Sequence, residues 1–201
     1  MKHLSTTARR IIAVIAAASV TGLIITTAAF AASSSGTVLA ADTASTASTA
    51  STAVPACTAG DLGAWVAVDQ GNGAAGSIYY PLQFTNLSRH ACAMRGFPGV
   101  SAIDRNGHQL GSPAGWATRV AAHTVVLAPG ATAHTILQYS DATVTTAPGC
   151  HPVFSTFELR IYPPNQFSAT HAAFDLEACS HAGPVYLSVE PILPGVGTIN
   201  G

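Results

Sequence analysis

The chain predicts an all-β domain, an antiparallel β-sandwich of about eight or nine strands, and three observations carry that prediction. Apolar residues recur with a period of two, as in Ile78, Tyr80, Leu82 and Phe84 set against Tyr79, Pro81, Gln83 and Thr85. Turn-forming residues break the apolar segments at short, regular intervals. No stretch holds a convincing helical period.

The chain has 201 residues, 48% hydrophobic and only 8% charged, which suits one domain with appendages. The appendages come first. Lys2, Arg9 and Arg10 precede an uncharged run over residues 11–30, and Ala29, Phe30 and Ala31 form an A-x-A site, so residues 1–31 read as a secretory signal cleaved after Ala31. The run is also close to the length that spans a bilayer, which makes an uncleaved anchor the alternative. Ser19, Thr21, Gly22, Thr26 and Thr27 dilute its hydrophobicity and favour cleavage. Residues 32–56 are rich in Ala, Ser and Thr, with TASTASTAST over residues 43–52. Such short side chains offer little apolar surface to offset the entropy of ordering, and a disordered linker is expected. The folded domain is then expected over residues 57–201.

Its elements follow in order. Residues 62–69 supply a first strand, and Gly71, Asn72, Gly73 and Gly76 a turn tolerant of positive φ. Residues 78–85 form the next strand, with Pro81 on its outer face as an edge or bulged strand would allow. Residues 86–90 are polar and turn-forming, 92–94 short and apolar, 96–99 a second turn and 100–104 a strand ending before Asn106 and Gly107. Residues 111–116 read as a loop. Residues 118–127 and 131–139 make two strands around Pro129 and Gly130, a type II turn pair. Residues 141–149 read as loop. Residues 155–162 alternate Phe157, Leu159 and Ile161 inward against Thr156, Glu158 and Arg160, and Pro163 with Pro164 ends that strand. Residues 166–174 and 185–190 complete the set.

Cys57, Cys92, Cys150 and Cys179 all follow the linker, and an even number in an exported chain reads as a disulfide set. Three pairings are possible, and loop-closure entropy does not choose between them. Sequential pairing, Cys57 with Cys92 and Cys150 with Cys179, is expected because each bond would then close a local two-strand unit. An antibody-type pin from Cys92 to Cys150 is disfavoured, since Pro148 stands where a tyrosine corner needs its hydroxyl. Cys57 lies beyond a polar linker, which disfavours lipid attachment.

After Cys57 there are five arginines and no lysine against eight acidic residues, a net charge of −3. The arginines are scattered, so the basic stripe that tracks phosphates is missing and nucleic acid is excluded as a partner.

Several runs carry a family resemblance: CTAGDL, the strand ending FTNLSRHAC, the GFPGV turn with D-x-x-G after it, the LAPGATA turn, and Cys150 followed by Cys179. Together they resemble a secreted actinobacterial family catalogued as domain of unknown function 4232, over roughly residues 57–193. The resemblance implies an immunoglobulin-like sandwich on an exported or lipid-anchored chain in the cell envelope. It carries no catalytic residues.

Chemistry is sparse in the residues themselves. There is no G-x-S-x-G elbow, no C-x-x-C and no H-E-x-x-H, so no catalytic residue, metal ligand or cofactor is expected. Were the strands around Pro129 and Gly130 to pair as a hairpin, His123 and His134 would lie diagonally on one face as a weak two-histidine site. An exposed pair without metal is the preferred reading. Trp116, on a Gly- and Pro-rich loop with Arg119 nearby, is the candidate ligand surface, although cover for a core edge is the preferred reading of that tryptophan. Asn86, Leu87 and Ser88 spell an N-x-S sequon that serves equally as a turn. The expected function is a non-catalytic binding or structural module, secreted or at the extracellular face of the envelope. Its partner would be an envelope protein or glycan, with membrane contact only if the N-terminal segment stays uncleaved. The alternative is a small envelope hydrolase or metal-binding enzyme using histidines and carboxylates.

Overall fold

The computed structural model describes residues 53–154 and 156–198. The expected signal segment, residues 1–31, lies outside them, as does most of the expected linker. The strands in chain order are β1 (Leu62–Val66), β2 (Asn72–Ala74), β3 (Ser77–Asn86), β4 (Cys92–Arg95), β5 (Gly99–Ile103), β6 (Gln109–Leu110), β7 (Gly115–Trp116), β8 (Thr124–Leu127) and β9 (Thr132–Tyr139). A short helix, α1 (Asp141–Thr146), precedes β10 (Pro152–Val153), β11 (Glu158–Tyr162), β12 (Thr170–Ala173), β13 (Ala178–Cys179), β14 (Leu187–Val189) and β15 (Leu193–Pro194). The fifteen strands among the described residues exceed the expected eight or nine because five are two-residue segments, too short to show any period.

Two sheets share one core. The larger has the order β1-β3-β9-β14-β7, with β2 beside β3 and β15 beside β9, and the second has the order β12-β11-β5-β6. Pairs β4-β8 and β10-β13 flank them. Leu82, Phe84, Leu137 and Val189 of the first sheet meet Val100, Ala102, Leu159 and Ile161 of the second in one buried cluster. Each large aliphatic or aromatic side chain so buried stabilises the fold by about 1.5–3 kcal/mol. Among the described strands pairing is antiparallel except between β7 and β14, and an isolated bridge from Ala56 to Ala93 is also parallel.

Strand β3 is an interior member of the larger sheet, and here the structure corrects the sequence reading. It pairs with β1 on one side and β9 on the other, so Pro81 sits in an interior strand and is buried. A residue's N–H and C=O point to the same neighbour. The Pro81 carbonyl accepts from Ala67 N–H at 2.9 Å, so its missing donor faces the point where β1 gives out, and the ladder to β9 stays whole. Gln83, read as facing water, is fully buried. Its Nε2 donates to the Gly197 carbonyl at 2.9 Å, and Gly197 N–H donates to its Oε1 at 3.1 Å. A Cβ at Gly197 would collide with the His134 ring, so only glycine lets this strap lie flat on the sheet.

The expected turn at Pro129 and Gly130 forms: Ala131 N–H donates to the Ala128 carbonyl at 3.0 Å, and Gly130 has φ +75°. It does not make a hairpin. β8 pairs with β4, while β9 pairs with β3 and β14, so the turn carries the chain between sheets. Only residues 124–127 of the expected strand over residues 118–127 are extended. Residues 115 and 116, expected in a loop, form β7 on β14. The loop expected at residues 141–149 contains α1, whose N-cap Ser140 Oγ accepts from Thr143 N–H. Its DATVTT sequence is β-branched and conceals the helix.

Candidate functional site

The four cysteines form two bonds, Cys57–Cys92 and Cys150–Cys179, the sequential pairing expected. The first is reinforced by backbone: Ala93 N–H donates to the Pro55 carbonyl at 2.8 Å and Cys57 N–H to the Ala93 carbonyl at 3.0 Å. Residues 55–57, at the end of the segment read as linker and the start of the domain, are thus tied to β4. The second bond ties β10 to β13, a ladder of only two residue pairs.

Trp116 reaches the surface from β7, the terminal strand of the larger sheet, and its side chain is 62% exposed. Backbone pairing with Ser188 and Val189, and a bond from Ala117 N–H to the Val189 carbonyl at 2.9 Å, hold it in place. One ring face stacks on Phe97, with centroids 5.4 Å apart and planes 14° from parallel. One face of the indole thus covers Phe97 and the other is exposed at a sheet edge, an aromatic platform. Arg119 is exposed in the segment after β7, with no ion pair among the described residues.

Asp61, Asp104, His108 and His134 serve local structure. His123 lies just before β8 and His134 on β9, two strands that do not pair with each other, which removes the geometry of the two-histidine site, and His134 Nδ1 instead lies 2.9 Å from the Gly195 carbonyl. Asp104 accepts from Asn106 and His108 N–H, both at 2.8 Å, and its other oxygen lies 3.2 Å from His108 Nδ1. The backbone bond from His108 leads in holding its carboxyl below the usual aspartate range. Asp61 is lowered in the same way, first by Thr58 N–H and then by the Thr58 hydroxyl. Among the described residues no group of three or more His, Cys, Asp or Glu could hold a metal ion. Nor is any helix among them long and apolar enough to cross a membrane. Asn86 is buried: its amide donates to the His90 and Leu127 carbonyls, and its Oδ1 accepts from Ser88 N–H and Oγ. The sequon is a turn, closed to a glycan.

A second feature escaped the sequence. Where β11 begins and β12 ends, a cleft of about 440 Å³ opens between Val68, Tyr80, Arg105, Phe157, Phe174 and Asp175. Phe157 shares the parity of the buried Leu159 and Ile161, which made it a core residue on paper, yet it is 42% exposed. Strand β11 starts only at Glu158, so Phe157 lies past the sheet edge and meets the Arg105 guanidinium, 4.9 Å from its ring centre. Tyr80 packs edge-on against Phe174, centroids 5.0 Å apart, and burial raises its phenol pKa. Burial, with Glu177 and Asp141 adding charge repulsion, pushes Tyr139 up to about 12, and its hydroxyl donates to the Glu177 carbonyl. These phenols remain neutral donors.

The family model described as Domain of unknown function (DUF4232) matches residues 57–192, a stretch that opens at the first disulfide and runs through β14. No curated protein and no solved structure matches the chain. With more than half its length so covered, the chain belongs to the DUF4232 family.

Proposed function

We propose that this chain is a non-catalytic binding module, exported to the cell surface, of immunoglobulin-like sandwich type, that engages an envelope protein or glycan through Trp116. The observation that carries the reading is the platform itself: a tryptophan 62% exposed, backed by Phe97 and fixed to a paired strand. An indole held that way offers a flat apolar face at little further entropic cost, the property that makes tryptophan dominant at binding surfaces. Two disulfides support an oxidising compartment, and the engagement of Asp61, Asp104, His108 and His134 in turns and straps supports a structural role for these groups.

Retention of the purified chain on cell envelopes isolated from its own source tests the proposal. Trp116→Ala should weaken retention about tenfold while leaving the melting temperature unchanged, because the ring contributes little to the core. Equal retention of variant and parent would refute a role for the platform.

A further inference from the structure

We propose that the cleft between Arg105 and Asp175 is a second binding site, distinct from the Trp116 platform, and that it takes a neutral saccharide. Its volume of about 440 Å³ falls within the roughly 300–1,000 Å³ of small-molecule sites. One cation and one anion line it, and neither makes an ion pair or hydrogen bond with any described residue. A phosphate or carboxylate would meet Asp175 with repulsion, and an amine would meet Arg105 in the same way. A neutral polyol offers acceptors to the guanidinium and donors to the carboxylate at once. The rest of the lining fits the same ligand. The exposed parts of Phe157 and Val68 present apolar surface to the C–H face of a pyranose ring. Tyr80 adds a hydroxyl with no hydrogen-bond partner among the described residues, on a ring held in place by Phe174 and by the close approach of Gly71, where a Cβ would collide with it. Such a site loses little entropy on binding. Past Asp175 the surface dips again into a cavity of about 240 Å³ bordered by Phe154 and Glu177. That extension makes room for a further sugar unit.

Isothermal titration calorimetry of the disulfide-intact chain with cellotriose, mannotriose and the N-acetylglucosamine trimer tests the assignment, with inorganic phosphate as the charged probe. At least one trisaccharide should bind at millimolar affinity or better and phosphate should not. Phe157→Ala and Tyr80→Phe should each weaken binding by about threefold or more, and Trp116→Ala should leave it unchanged. Tyr80→Phe keeps the ring packing, so its effect reports on the hydroxyl and not on folding. The proposal is overturned if no trisaccharide binds, if phosphate binds as well as the sugars do, or if binding survives both cleft variants. Loss of sugar binding in Trp116→Ala alone would move the sugar to the platform and overturn it equally.

Discussion

Asp61 and Asp104 hold their turns as carboxylates, and this sets how the domain responds to acid. Both titrate below the unfolded value of 3.8, so the ionised form favours the folded state. Their contribution is complete above about pH 4 and fades as the pH falls through the lower folded-state values. The urea midpoint should therefore be flat from neutral pH to about pH 4 and fall below it. The double variant Asp61→Asn, Asp104→Asn should start lower at pH 7 and fall less steeply; parallel curves would show that other groups set the acid limit. Residue roles were unevenly legible. The strand alternation correctly buried Leu82, Phe84, Leu159 and Ile161. It misplaced Gln83 and Phe157, since alternation says which side a residue takes and not whether that side is covered there. Gln83 is sealed by a segment 114 residues away, and Phe157 lies one position beyond the end of its sheet.

Among the elements, the β10-β13 pair depends most on its covalent link. Two residue pairs and a bond from Ser180 N–H to the His151 carbonyl at 2.9 Å are little to hold a ladder, whereas the Cys57 segment keeps its backbone bonds to Ala93. The double replacement of Cys150 and Cys179 by Ser should cost about 2–5 kcal/mol and expose the Val153 and Ser180 amides to fast hydrogen exchange, with β3 and β9 still protected. Retained protection at Val153 would mean that packing alone secures the pair. Turn chemistry was readable here: Pro129 and Gly130 form the turn their types demand. Its topology was not, because a type II turn fixes the local reversal of the chain and leaves open which strand each arm will join.

At the scale of the whole molecule, all-β architecture and disulfide pairing were legible, since both rest on periodicity and on counting within the chain. The platform and the cleft were not. Trp116 was visible as a residue, but its stacking on Phe97 and its place on the terminal strand arise only when β7 joins β14. The cleft draws on five separate segments, so no local pattern announces it. The strap over β3 carries a consequence in time. The amide of Gln83 is buried and finds both partners in Gly197, so a chain shortened to residue 194 would leave it unpaired, at a cost of about 1–3 kcal/mol. That shortened chain should melt earlier and its Pro81–Gln83 face should bind a hydrophobic dye, while an unchanged melting curve would show the strap to be dispensable. During synthesis the Gln83 side of β3 stays unsealed until residue 197 has been made, so this contact closes only after every strand it covers already exists.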